Sequence, residues 1–215
     1  MQGIFLEGIA VGFCLAAPVG PIAALCLQRT TTEGKLAGIA TGIGAALADA
    51  FYGSLAALGV TAVSSFLAVH RDIMLRAGGV VLLVLGARLL FAKAAERAPK
   101  PDGAGLVRDL LSTLALTLTN PMTFVAFAAV FAALGLHAGH NRPLLTLQLV
   151  LGVFTGSLAW WLVLVALATV LRGRMGGSGL VWMNRAVGVF VIVVGVLYLT
   201  GVAGALVRSH APPPS

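Results

Sequence analysis

Charge is what this chain has least of. Only 10% of its 215 residues are Asp, Glu, Lys or Arg, against 59% hydrophobic residues and a mean hydropathy of +1.02. So few polar groups cannot cover a soluble domain of this size, and a water-soluble fold is excluded. Cysteine is nearly absent too: Cys14 and Cys26 are the only two, and both lie in the first apolar segment. A continuous helix would hold them about 18 Å apart, beyond disulfide reach. Membrane thiol-redox chemistry needs a cysteine pair brought together from two helices, so that class of enzyme is excluded, and no enzymatic activity is expected. There are only seven acidic residues and four histidines. A hard cation wants about six oxygen ligands and a softer one His or Cys, so neither a resident metal nor another cofactor is expected. The N-terminus lacks a basic stretch as well. MQGIFLEG carries Glu7 instead, and reads as the start of a retained helix, not of a cleaved signal.

What the chain has is long apolar runs, at roughly 4–27, 36–60, 73–92, 109–136, 144–171 and 180–206. Each is near or above the ~20 residues that cross a hydrocarbon core. With no water to bond their amides, these runs must be helices, interrupted only where protein or a wet cavity satisfies the freed groups. Alternating ten-residue barrel strands do not fit them. The predicted fold class is all-α, a polytopic membrane protein of six transmembrane helices. If the N-terminus faces outward, ten of the fourteen basic residues fall inside, leaving Arg71, Arg76, Arg142 and Arg208 outside. This bias predicts both termini outside and the loop around Lys100 in the cytoplasm. It also accounts for the net charge of +7 as contact with the lipid bilayer, with no nucleic-acid partner.

The chain divides at the Pro/Gly-rich RAPKPDGAG (Arg97–Gly105). On either side the pattern recurs. RAGGVVLLVLGARLL in the third segment aligns with RAVGVFVIVVGVLYL in the sixth, pairing Arg76 with Arg185, Gly79 with Gly188 and Gly86 with Gly195. The predicted organisation is a first three-helix repeat at 1–92, a cytoplasmic linker at 93–108, a second three-helix repeat at 109–206 and a disordered tail at 207–215. An odd number of spans per half makes the second point the opposite way. Inverted repeats with interrupted helices in corresponding positions are the signature of secondary transporters.

The interruptions are proline-borne. Pro18 and Pro21, around Gly20, break the first segment, and Asn120–Pro121 breaks the fourth. Proline removes an amide donor and clashes with the preceding turn, so each pair should stop one half-helix and start another. The bare amides at each new N-terminus suit a carboxylate. The alternative is a pair of simple kinks. Asp49 is the one acidic residue near the middle of a segment, and its insertion costs on the order of 3 kcal/mol. Gly38, Gly42, Ala45, Asp49 and Gly53 share one helix face, a small-residue stripe that packs on another helix. Asp49 thus points inward, to bind substrate, to carry a coupling proton, or only to bond a neighbour's hydroxyl. Trp160 either lines a substrate cavity or packs. The glycine stripes would also serve contacts in a homo-oligomer.

APVGPIAALCLQRTTTEGKLAG (Ala17–Gly38), continuing to Gly59, resembles the first half of the lysine exporter (LysE) family of bacterial translocators. LTLTNPMTFVAFAAVFAALG (Leu116–Gly135) resembles that family's second-half Asn-Pro motif. The resemblance implies export of amino acids or similar small metabolites across the bacterial cytoplasmic (inner) membrane, driven by an ion gradient, with the proton the expected ion. Pro18, Pro21, Asn120 and Pro121 would be its motif positions and Asp49 the polar residue of the second span. One departure is that the usual Pro-Gly-Pro is here Pro18-Val19-Gly20-Pro21. The alternative function is export of a divalent cation by a related helical repeat.

Overall fold

The structure is a computed structural model and describes residues 2–17, 20–58, 69–91, 103–134, 143–174 and 177–200. Among the described residues there are helices and no strand. In chain order they are α1 (Gln2–Ala16), α2 (Pro21–Thr32), α3 (Lys35–Ala57), α4 (Arg71–Leu90), α5 (Gly103–Leu118), α6 (Pro121–Leu134), α7 (Pro143–Arg174) and α8 (Gly177–Leu199). Pro18, most of the expected linker and the 207–215 tail lie outside the described residues.

The breaks fall where the prolines are. Between α1 and α2 the chain turns by 82°. Pro21 opens α2, where a missing N–H is one of the unpaired donors anyway, and Gly20 before it is extended at φ −135°. Between α5 and α6, Pro121 has no amide to offer the Thr117 carbonyl, and the Asn120 amide takes it instead at 3.0 Å. The turn from α2 to α3 has a different device. Gly34 sits at φ 110°, which strains any side chain, and the amides of Glu33 and Gly34 both donate to the Arg29 carbonyl, at 2.8 and 3.0 Å.

Two boundaries differ from expectation. α2 runs to Thr32 although the apolar segment ends near 27, and α5 begins at Gly103, inside the stretch assigned to the linker. The α2 extension is polar and held by partners the apolar pattern cannot show, whereas the α5 extension, residues 103–108, carries one charged side chain, Arg108, which approaches Glu33 and Asp109. Gln28, Arg29 and Thr30–Thr32 are buried. The threonine hydroxyls donate back to carbonyls of their own helix, Thr30 to Cys26 at 2.7 Å and Thr32 to Gln28 at 2.8 Å, so no hydroxyl is left bare.

Among the described residues, α3, α7 and residues 181–199 of α8 are each long and apolar enough to cross a membrane, and the bent α1–α2 pair adds a fourth if it is counted as one broken span. α4 carries Arg71, Asp72, Arg76 and Arg88, and α5 and α6, of 16 and 14 residues, fall short individually. The outer surface is apolar: α7 exposes Leu162, Val163, Leu167 and Val170, and α8 exposes Val189, Phe190, Val193 and Val196. Such contiguous faces belong against lipid.

Glycine sets the closest helix approaches. α1 lies on α7, where a methyl at Gly12 would strike the Val153 carbonyl and one at Gly156 the Ile9 carbonyl. α4 lies on α8: a Cβ on Gly79 would stand 2.8 Å from the Gly195 carbonyl oxygen, and one on Gly86 would stand 2.9 Å from that of Gly188. α3 packs on both α5 and α7, with Gly44 against the Leu110 carbonyl. These small-residue contacts stand in for a hydrophobic drive that does not exist between helices in lipid.

Candidate functional site

The two breaks open on one cavity. Pro21 and Ile22, the first residues of α2, line it from one side, and Thr119 and Asn120, the α5–α6 junction, from the other. Leu116 of α5 extends that second wall. Gly78 and Leu82 of α4 and Tyr198 of α8 complete it. The enclosed space is small, with room for little more than a water molecule, far below the ~300–1,000 Å³ of sites that engulf a drug-sized ligand, so taking up a substrate requires the walls to part. Its lining residues Leu82 and Leu116 also belong to a hydrophobic cluster with Ala24, Leu25, Val187 and Val191.

Few polar atoms face this space, and they come from the second half of the chain. The Tyr198 hydroxyl donates to Asn120 Oδ1 at 3.2 Å. The Thr119 hydroxyl donates to the carbonyls of Ala115 and Leu116, both at 3.0 Å, which leaves its lone pairs as acceptors. On the first-half side, Gly20 caps α2 with no side-chain hydrogen bond. The first amides of that helix carry its partial positive charge.

Asp49 lies elsewhere. It is buried in the α3–α7 contact, where its Oδ2 accepts a hydrogen bond from Ser157 Oγ at 2.6 Å. Trp161 Nε1 donates to the same Oγ at 3.1 Å. One turn along α3, the Tyr52 hydroxyl donates to the Leu118 carbonyl at 2.6 Å. That carbonyl is at the end of α5, where helix acceptors run out of partners. α3 thus ties the Asp49 neighbourhood to the second break. Trp160 is turned to Phe13 of α1, ring edge to face at 5.4 Å, and its buried Nε1 has no hydrogen-bond partner among the described residues. Of the residues singled out in the sequence, the structure therefore brings together Pro21 and Asn120, with Gly20 adjacent and Pro121 opening α6. It sets Asp49 and Trp160 apart from the cavity.

Sequence reasoning missed a second polar centre. Arg29, counted only as a topology marker, is buried at the far end of α2, where its Nη1 donates to Thr41 Oγ1 (3.1 Å), Thr113 Oγ1 (2.9 Å) and the Asp109 carbonyl (3.0 Å). Its Nη2 donates to Ser112 Oγ at 2.9 Å, and its Nε lies 3.6 Å from Asp109 Oδ1. Arg108 approaches both Asp109 and Glu33, at 3.6 and 3.7 Å. The run QRTTT was the available signal, since five polar residues continuing an apolar helix need partners inside the protein.

Interrupted helices that share a cavity, inside a bundle with apolar outer faces, define the class of helical membrane transporters. The chain belongs to the LysE type translocator family, whose model matches residues 13–201. No curated protein and no solved structure matches it. It is accordingly a multi-pass membrane protein that moves a small molecule, and its family is one of transporters and not of enzymes.

Proposed function

We propose that the protein exports amino acids or similar small metabolites from the bacterial cytoplasm, using the proton gradient, through the cavity between the two breaks. The observation that carries this reading is that Pro21 and Asn120, from interruptions almost a hundred residues apart, line the same space. The α2 amides would receive the substrate's carboxylate, and the oxygen acceptors of Thr119 and Asn120 its ammonium group.

The proposed architecture is six spans in two inverted three-helix halves, α1–α4 and α5–α8. Exchange of the halves sends α1 and α2 to α5 and α6, α3 to α7, and α4 to α8. Under that exchange the contact of α1 with α7 becomes that of α5 with α3, and α2 with α8 becomes α6 with α4; all four occur. At residue level the pair Gly79–Gly195 becomes Gly188–Gly86, and both are close approaches. A two-fold axis in the membrane plane, passing between α4 and α8, accounts for this pairing.

Asp49 carries the coupling proton in this scheme, buried and bonded to Ser157 but linked through Tyr52 to the second break. A proton moving inward gains about 2.3 kcal/mol per 100 mV, enough to sustain roughly a fifty-fold outward gradient at one proton per molecule. Reconstitution into liposomes tests the reading. An imposed proton gradient is expected to drive radiolabelled amino acids against their own gradient. Amino-acid flux that ignores the proton gradient would overturn the coupling, and flux of manganese in place of amino acids would overturn the substrate class.

A further inference from the structure

We infer that the cavity selects neutral amino acids with apolar side chains and rejects basic ones; this rests on the export reading above and names its substrate class. The walls differ in chemistry. One side offers Thr119, Asn120 and the Tyr198 phenol next to Leu116, and the other offers only the apolar Ile22 and Leu82 beside Pro21. Gly78, with no side chain, leaves the room on the α4 side. A zwitterion can set its head on the first wall and the α2 amides while its side chain lies on the second, where aliphatic contact is favourable by burial of apolar surface.

A second positive charge has no place there. Among the described residues lining the cavity none is an acid other than the Tyr198 phenol. The sequence extends the point beyond them: between Gly8 and Gln28, and between Leu110 and Leu136, there is no Asp, Glu, Lys or Arg. Both broken segments are therefore uncharged for about two turns or more on either side of the break. Next along α2 and before the uncharged stretch of α5, Arg29 and Asp109 are paired with each other, and Asp49 of α3 is engaged as well. Arg29 is held by Thr41, Thr113, Ser112 and Asp109, and Asp49 accepts from Ser157. A lysine side chain would bury its ammonium without a counter-charge, the costliest of the available outcomes. Glutamate would meet the same lack with the opposite sign.

Counterflow in proteoliposomes with leucine, valine, lysine and glutamate tests this on the wild-type protein. The expected result is exchange of leucine or valine with kcat/KM about 100-fold or more above that of lysine and glutamate. Lysine exchanged as well as leucine would overturn the inference and leave the export reading intact. Exchange of no amino acid would overturn both. Asn120→Asp retains an oxygen acceptor for Tyr198 while adding a carboxylate to the cavity wall. It should lower the leucine-to-lysine ratio at least about tenfold by supplying the missing counter-charge. An Asn120→Asp protein that still exchanges leucine with unchanged discrimination would show that selection happens elsewhere. The wild-type comparison decides the matter alone if that variant does not fold.

Discussion

At the scale of single residues, the buried charges set the strongest expectations. Arg29 is hydrogen-bonded by Thr41, Thr113, Ser112 and the Asp109 carbonyl, and the Asp109 carboxylate beside it is its counter-charge; removal of one partner of a buried pair leaves an uncompensated charge. Asp109→Asn is expected to destabilise the protein by about 3–5 kcal/mol, measured by unfolding in detergent. Glu33, at the α2–α3 turn, gives a pH prediction. Burial, and next the Asp109 carboxylate, hold its pKa above the ordinary 4.5 against the pull of Arg29 and Arg108. A carboxyl raised in the folded state contributes stability while protonated, and that contribution is lost as pH rises through the folded value. Glu33→Gln should therefore match the wild type at low pH and exceed it in stability at neutral pH. Thermal melts from about pH 4 to about pH 7 measure the difference, and parallel curves would contradict it. Asp49→Asn keeps the size and a hydrogen bond to Ser157 but cannot ionise. It should abolish gradient-driven export and spare counterflow, whereas wild-type export with wild-type pH dependence would make Asp49 structural.

At the scale of helices, glycine position decides what a methyl costs. A Cβ at Gly12 or Gly156 meets backbone of the facing helix, which cannot give way, so Gly12→Ala should cost about 1–3 kcal/mol or more. Gly20 has nothing within 4 Å of its would-be Cβ and an extended backbone, so Gly20→Ala should be nearly neutral for stability. Equal melting losses for the two would contradict the packing described for α1 and α7. Legibility in the sequence follows the same division. The prolines announced the breaks, because a missing N–H acts locally wherever the chain goes. The small-residue stripe from Gly38 to Gly53 announced a buried face, and α3 does pack on α5 and α7. Which residue that face meets was not legible. Ser157 opposite Asp49, Tyr198 opposite Asn120 and Asp109 opposite Arg29 are pairings between segments 78 to 108 residues apart. They depend on how helices cross, and no local period records that.

At the scale of the whole molecule, a charge bias and a cavity bear on the expected path of the substrate. Ten basic residues on one side predict that the loop around Lys100 lies in the cytoplasm. An impermeant thiol reagent should label Lys100→Cys in inverted vesicles but not in intact cells; labelling from outside would refute that orientation. The space between the two breaks is the proposed seat of the substrate. The most direct test is protection from alkylation of Ile22→Cys and Thr119→Cys, each in a background with Cys14 and Cys26 replaced by Ser, with Trp160→Cys as the control. Leucine is expected to slow labelling at both cavity positions and to leave Trp160→Cys unaffected. Transport-active variants labelled at the same rate with and without leucine, or protected only at Trp160→Cys, would contradict the claim.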